Sequence, residues 1–258
     1  MGMSLHETMK FSLFDAHMHI IDPAYPLQEN HGFLPEPFTV EDYRLRMRPY
    51  TLVGGAVVSG SFQGFDQEYL KAALRLMGET FVGVTQLPVS VTDQTIIDLD
   101  RHRVRAVRFN LMRGGSEDVR ELAYMAQRVH DLVGWHVELY ADAAQLESLV
   151  PLLLTLPAVS IDHLGLTATG LPRLLRLVEK GVRVKATGFG RVDFPVAEAL
   201  KQLYTANPSA LLFGSDHPGT RAPIPYGHAD YELIIDTLGI EGAGRVFCNN
   251  ARAWYRLD

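Results

Sequence analysis

The chain of 258 residues holds a single cysteine, Cys248, so no intrachain disulfide can form and nothing asks for an oxidising compartment. Long apolar runs are missing too. The longest, Leu149 to Val159, is interrupted by Pro151, Thr155 and Pro157, too short and too broken for a membrane-spanning helix. Met1 to Lys10 lacks the continuous apolar core of an export signal, and the cytoplasm is the expected location. There is no surplus of positive charge either. The formal net charge is −6, and the basic residues are scattered instead of forming one stripe, which argues against nucleic acid and against a membrane surface as partners. A few local arginines still suit a small anion. Internal repeats and low-complexity tracts are absent.

What is present is a globular composition, 47% hydrophobic and 21% charged, with ample material for a core. Short β-rich runs recur at intervals too long for hairpins: Phe11–His19, Gly55–Ser61, Phe81–Leu87, Val104–Leu111, Trp135–Tyr140, Ala158–His163, Val182–Gly188 and Ala210–Asp216. Between them, Asp66–Gly78, Ser116–Val133, Ala143–Leu154, Leu171–Lys180 and Pro195–Ala206 read as amphipathic helices, and Tyr231–Leu238 with Ala243–Tyr255 close the chain. Repeated βα units of this number point to an α/β fold, a (β/α)8 TIM barrel, with residues 1–258 as a single domain of ordinary size for that fold. An open doubly wound sheet is the alternative. Two Pro-rich stretches break the rhythm, Ile20–Pro37 after the first strand and Pro218–His228 after the eighth. In a closed barrel those strands are neighbours, so both loops are expected over the same side of the mouth, as a lid.

The first strand ends Phe14-Asp15-Ala16-His17-Met18-His19. Residues two apart on a strand share a face, so His17 and His19 present two imidazoles together, either into the barrel mouth or against the helices. They would serve as a metal-ligand pair or as a polarising pair, and the pattern by itself is equally a chance pair at a strand end. The sixth strand ends Ile161-Asp162-His163-Leu164-Gly165, where the glycine permits a sharp turn after the histidine. The eighth ends Phe213-Gly214-Ser215-Asp216-His217-Pro218. Separately, His163 reads as a satisfied imidazole and Asp216 as a loop cap. Together, at one rim, they read as a site.

As a set and in order, the strand-one His-x-His, the strand-six histidine and the strand-eight aspartate resemble the amidohydrolase superfamily over nearly the whole chain. More narrowly, Phe14–His19, Val107-Arg108-Phe109-Asn110-Leu111, Trp135–Leu139, Ile161–Gly165 and Gly214–Pro218 look like the branch that contains 2-pyrone-4,6-dicarboxylate lactonase and sugar-acid lactonases. The resemblance implies a barrel hydrolase with His17, His19, His163 and Asp216 as catalytic residues. Metal-rich members carry a bridging lysine or glutamate on the fourth strand and a histidine on the fifth. Here those strands end in Asn110-Leu111 and Glu138-Leu139-Tyr140, and His136 lies toward the other end of the barrel, which disfavours a binuclear centre. The branch includes members that work without metal, and no cofactor is favoured. The alternative is one divalent ion, zinc, on His17, His19 and Asp216. His217 stands where the branch usually has tryptophan.

Arg108 ends an otherwise apolar strand, Arg113 follows it, and Arg191 follows the seventh strand. A guanidinium makes paired, charge-assisted bonds to a carboxylate, so these three are candidates to hold an acidic substrate. Ser61, Asn110 and Tyr140, at strand carboxyl ends, are candidate polar contacts; Lys185 is placed as well for a structural carboxylate. The expected chemistry is water attack on a small carboxylated lactone, with Asp216 taking the proton and the three histidines polarising the carbonyl. A zinc-dependent decarboxylase or hydratase of the same superfamily would differ in needing the ion. A non-catalytic barrel that binds a small acid would keep its ligand after Asp216→Asn. A small-molecule substrate is the expected partner, and a homo-oligomer stays open.

Overall fold

Eight parallel strands succeed one another around a barrel in the computed structural model, which describes residues 11–257. They are β1 (Ser12–Met18), β2 (Thr51–Val58), β3 (Phe81–Thr85), β4 (Val104–Asn110), β5 (His136–Tyr140), β6 (Val159–Ile161), β7 (Arg183–Ala186) and β8 (Leu211–Phe213), hydrogen-bonded in that order. The expected (β/α)8 barrel is the fold observed. The reading of residues 1–10 as lacking an export signal concerns residues outside those described. No helix among the described residues is long and apolar enough to cross a membrane.

The strands are apolar nearly throughout because both faces are covered, one by the barrel interior and one by helices. Phe14, Ala16, Ala56, Val58, Val82, Val84, Ala106 and Leu212 meet inside, with Tyr255 below them. The larger apolar layer lies between the strands and the helices α2 (Glu68–Met77), α4 (Leu122–Val133), α6 (Leu171–Glu179) and α7 (Val196–Ala206). Two further helices fall outside the expected set, α1 (Val40–Met47) and α3 (Asp93–Arg101). Both are short and polar and bury only a few side chains, Val40, Tyr43 and Met47 in α1 and Ile96 with Leu99 in α3, so the apolar stripe is faint in α1 and narrow in α3. Their starts are nevertheless written in the chain. Thr39 and Asp42 form a reciprocal capping box before α1, and Thr92 caps α3.

The expected helix Ala143–Leu154 is instead three short pieces, turns at Ala143–Gln145 and Glu147–Leu149 and a brief α5 (Val150–Leu153). Pro151 fits a helix only in its first turn, so the helix restarts there. The closing segment runs as α8 (His228–Gly244), broken at Gly239 by a φ of 67°, then a wide turn at Arg245–Asn249 and α9 (Asn250–Tyr255).

β1 carries one residue more than β2 between the pairs Asp15↔Gly55 and Met18↔Val57. This bulge reverses the alternation of the strand. Phe14 and Ala16 face the barrel interior, and after it His17 and His19 do so too, while Asp15 points away from the interior toward Tyr43 of α1. Closure against β8 occurs just past its last residue: Asp216 N donates to His17 O and His19 N to His217 O, each at 2.8 Å. Asp15 locks the seam. It accepts from Ser215 N (2.8 Å), Ser215 Oγ (2.6 Å), Tyr43 Oη (3.0 Å) and His17 N (3.2 Å) while wholly buried.

Removing that carboxylate would orphan several buried donors at once, so Asp15→Ala is expected to lower unfolding free energy by about 3 kcal/mol or more. Urea denaturation followed by circular dichroism measures it. A loss below about 1 kcal/mol would show that the seam does not depend on Asp15.

Candidate active site

A half-open pocket at the carboxyl end of the barrel is lined by His19, Ser61, Arg108, Asn110, Arg113, Tyr140, His163, Arg191 and Asp216. His17 lies directly beneath, its ring 5.1 Å from that of His19 and 4.9 Å from that of His163. Every candidate residue from the sequence is therefore brought to one place. Gly60, Phe62, Thr220 and Arg221 complete the wall.

The local backbone explains the placement. β6 and β8 stop short of the expected ends, and His163 and Asp216 stand in the turns that follow with φ of 51° and 58°. Left-handed conformations cost non-glycine residues free energy that surrounding contacts must offset. Leu164, Gly165 and Leu166 continue the same tight turn, with φ of 51°, 70° and 71°. Gly188 makes room at its other side: a Cβ there would lie 2.6 Å from His163 Nδ1.

Hydrogen-bond partners assign the imidazole hydrogens. His19 Nδ1 lies 2.7 Å from the carbonyl oxygen of Val58, which can only accept. Nδ1 therefore carries the hydrogen, which in the neutral ring leaves the Nε2 lone pair facing the pocket. His17 Nδ1 lies 3.3 Å from Lys185 Nζ, an ammonium that can only donate, with Asp162 Oδ1 farther away at 3.6 Å. With Lys185 the nearer, Nδ1 accepts and Nε2 carries the hydrogen toward the pocket, where it has no partner. Burial pushes the His17 pKa down to about 4, with Asp162 opposing and Lys185 assisting. Burial likewise holds His163 well below the usual histidine range.

Asp216 binds Arg191 through Oδ2, at 2.8 Å from Nε and 2.7 Å from Nη2. Its Oδ1 has no partner and faces His19 Nε2 at 3.7 Å and His17 Nε2 at 3.9 Å. Burial works against its charge, yet His163, His19, Arg191 and His17 outweigh burial and hold the carboxyl well below the usual carboxylate range. At neutral pH His17 and His163 are uncharged, and a neutral His19 with its hydrogen on Nδ1 donates nothing to Oδ1, so the standing source of that field is Arg191.

Under the pocket lies a layer of charges the sequence only hinted at. Arg108 donates to Asp162 through Nε (3.1 Å) and Nη2 (2.8 Å) and to Ser59 O through Nη1 (2.9 Å). Lys185 is bonded to Glu138, and Tyr255 Oη closes the floor on Glu138 at 2.6 Å. Of these, Asp162 had a visible signal, a carboxylate beside His163 at a strand end. Arg221 had none, since it sits in a Pro-rich loop. His136 does lie at the far end, where Trp254 Nε1 donates to its Nε2.

Two groups among the described residues offer ligand atoms close enough to hold a metal ion, His17 with His19 and Asp216, and His17 with Asp162 and His163. Asp162 and Asp216 each bind an arginine through Oδ2 and leave Oδ1 unpartnered; of the two carboxylates only Asp216 lines the pocket, so the first set is the better one. Its two unpartnered atoms, His17 Nε2 and Asp216 Oδ1, and its two-imidazole, one-carboxylate composition fit a single divalent ion. His17 would serve once its hydrogen moved to Nδ1 and turned to Asp162.

A family model described as amidohydrolase matches residues 14–257. The chain belongs to the amidohydrolase family. As an amidohydrolase it is similar to a Comamonas testosteroni protein named 2-pyrone-4,6-dicarboxylate hydrolase, 29% identical over 157 residues, 58% of this chain and 51% of the relative. The aligned stretch thus spans about half the length of that curated relative. Among solved structures, an apo Agrobacterium tumefaciens protein has the same fold at a TM-score of 0.85 and 22% identity, covering 99% of both chains. A Pseudomonas putida structure named for 2-pyrone-4,6-dicarboxylic acid hydrolase matches at a TM-score of 0.81 and 26% identity, covering 97% of this chain and 99% of its own.

The buried imidazoles make stability pH-dependent. In the unfolded chain His17 and His217 bind a proton near 6.5, but in the fold burial pushes each down to about 4. The unfolded state then binds more protons between those values, so this stability is complete above pH 6.5 and lost as pH falls toward 4. Asp15, pushed up to about 6 by burial, acts oppositely over part of the range. With His163 and His136 also lowered, the histidines outweigh it, by on the order of 1 kcal/mol per group and pH unit. Melting curves at pH 7, 6 and 5 on chelator-treated protein should show a falling midpoint; a flat or rising one would contradict the neutral, buried imidazoles.

Proposed function

We propose that the chain is a lactonase that opens a small carboxylated lactone, of the 2-pyrone-4,6-dicarboxylate or sugar-acid type, by attack of water. One observation carries this reading: His19 Nε2 and Asp216 Oδ1, both acceptors, face each other 3.7 Å apart at the floor of an arginine-lined pocket. Two acceptors at that spacing call for a hydrogen-bearing or cationic group between them. A water placed there donates one hydrogen to each and turns a lone pair toward the substrate.

As the water oxygen bonds to the lactone carbonyl carbon, its proton passes to the Asp216–His19 pair. Asp216, ionised at the outset under Arg191, takes that proton as the general base, and His19 Nε2 fixes the direction of the water. Negative charge grows on the carbonyl oxygen, where His17 Nε2–H meets it and His163 stands alongside as a neutral polar wall. Collapse of the adduct breaks the ring C–O bond, and the pair returns the proton to the leaving oxygen, giving the open-chain acid. Arg113 brings positive charge that favours a carboxylated ligand, and Arg108 and Arg191, each paired with a carboxylate, offer their remaining guanidinium donors, with Ser61, Asn110 and Tyr140 as polar contacts.

Held by His17, His19 and Asp216, a single divalent ion would supply Lewis acidity and a more acidic water. The spacing of those three residues favours one second reading, a zinc-dependent decarboxylase or hydratase of the same superfamily. The names of the Comamonas and Pseudomonas relatives support the lactone class. A small-molecule partner, no nucleic acid and a cytoplasmic location belong to the same reading.

Turnover of 2-pyrone-4,6-dicarboxylate and a panel of sugar lactones, before and after exhaustive chelation with zinc measured on the same sample, tests it. Hydrolysis that survives chelation is the expected result. Loss on chelation with recovery on zinc would favour the ion-held site, and no lactone turned over in either state would sink the lactonase. Asp216→Asn is expected to lower kcat by about 10²- to 10⁴-fold while binding persists; unchanged kcat would remove Asp216 from the proton path.

A further inference from the structure

The pocket wall holds four arginines, and two of them are already neutralised. Arg108 faces Asp162 and Arg191 faces Asp216. Arg113 and Arg221 have no carboxylate within 4 Å among the described residues, although both line the pocket. Burial, and after it the charge of Arg113, pushes the Arg221 pKa down, as expected of two like charges that share a partly dry wall with no anion between them.

Arg221 is not a loose surface side chain. Nη1 donates to Asn30 Oδ1 (3.1 Å) and to Asn30 O (3.3 Å), and Nη2 donates to Ser61 Oγ (3.0 Å). Its guanidinium lies over the Phe33 ring at 4.5 Å. Asn30 is itself fixed, accepting from Ser61 Oγ at 3.0 Å and donating to the carbonyl oxygen of Arg113 at 2.9 Å. The loop after β1 thus clamps a cation that the loop after β8 brings to the pocket. The Nε–H of Arg221 has no partner among the described residues, so a donor remains for a ligand.

We infer that Arg221, oriented by Asn30 and Ser61 and paired with Arg113, is the residue that selects a dicarboxylate over a monocarboxylate in this pocket. The two uncompensated charges match the two charges of a diacid, and a single carboxylate leaves one of them unmet. This specificity role rests on the lactonase reading for its substrate, but the binding preference is measurable without turnover.

Isothermal titration calorimetry with benzene-1,3-dicarboxylate and with benzoate, two unreactive ring acids, provides the test on the intact protein. Wild type is expected to bind the diacid at least about tenfold more tightly than benzoate. Arg221→Gln should weaken the diacid by about tenfold and benzoate by less than about twofold. Arg221→Lys, which keeps the charge and loses the fork, should fall between and decides the matter if the glutamine variant does not fold. Equal binding of the two acids by wild type, an unchanged diacid affinity in the variants, or an equal loss for both acids would each overturn the inference. Failure of the lactonase reading looks different: no lactone is hydrolysed, yet the diacid preference and its dependence on Arg221 persist.

Discussion

The seam between the first and eighth strands is the constraint on which the site depends. Asp216 N on His17 O and His19 N on His217 O bind the two chain segments that carry the histidine pair and the carboxylate. Neither segment would hold its geometry alone, because Asp216 sits in a left-handed conformation and His17 follows a bulge. Asp15 secures both, since it accepts from the backbone of His17 on one strand and of Ser215 on the other. A carboxylate kept from water against its own preference, with a pKa pushed up to about 6, is tolerated there because it satisfies several buried donors together.

Charge is arranged in layers along the barrel axis. Deepest are Glu138 and Lys185, then Asp162 and Arg108, then Asp216 and Arg191, each anion facing its own cation. Buried pairs of this kind add little net stability, because desolvation offsets much of their attraction. What they provide is direction. Lys185 and Asp162 act on one nitrogen of His17 and so decide which way its other nitrogen presents hydrogen or lone pair to the pocket. Toward the mouth the pairing stops, and the surplus of positive charge lies where a ligand would enter.

The barrel was legible in the chain because buried parallel strands leave unmistakable apolar runs, and the site because its polar residues interrupt those runs at their ends. Helices α1 and α3 were not, since both are short and polar and give the core few side chains, although Thr39 and Thr92 mark their starts. The inward turn of His17 and His19 was left open by alternation alone, because alternation fixes a common face and not which one; the bulge decides it, and a bulge has no reliable sequence mark. Arg108 was visible as a charge at a strand end, but its commitment to Asp162 depends on β4 and β6 flanking β5, and a charge at a strand end does not name its partner. Asn30 and Arg221 lie 191 positions apart in loops, beyond the reach of any local pattern.

Asp15 and Ser215 meet across 200 positions of sequence, so the seam is among the most non-local contacts a chain of this length can make. A contact of that kind carries the entropy of closing a long loop, a cost that contacts within one βα unit do not share. The imidazole pair near one end has no site geometry without the carboxylate near the other. Chemical competence thus depends on the same contacts that join the sheet into a ring, and a form in which they are open holds the ingredients of the site without its geometry.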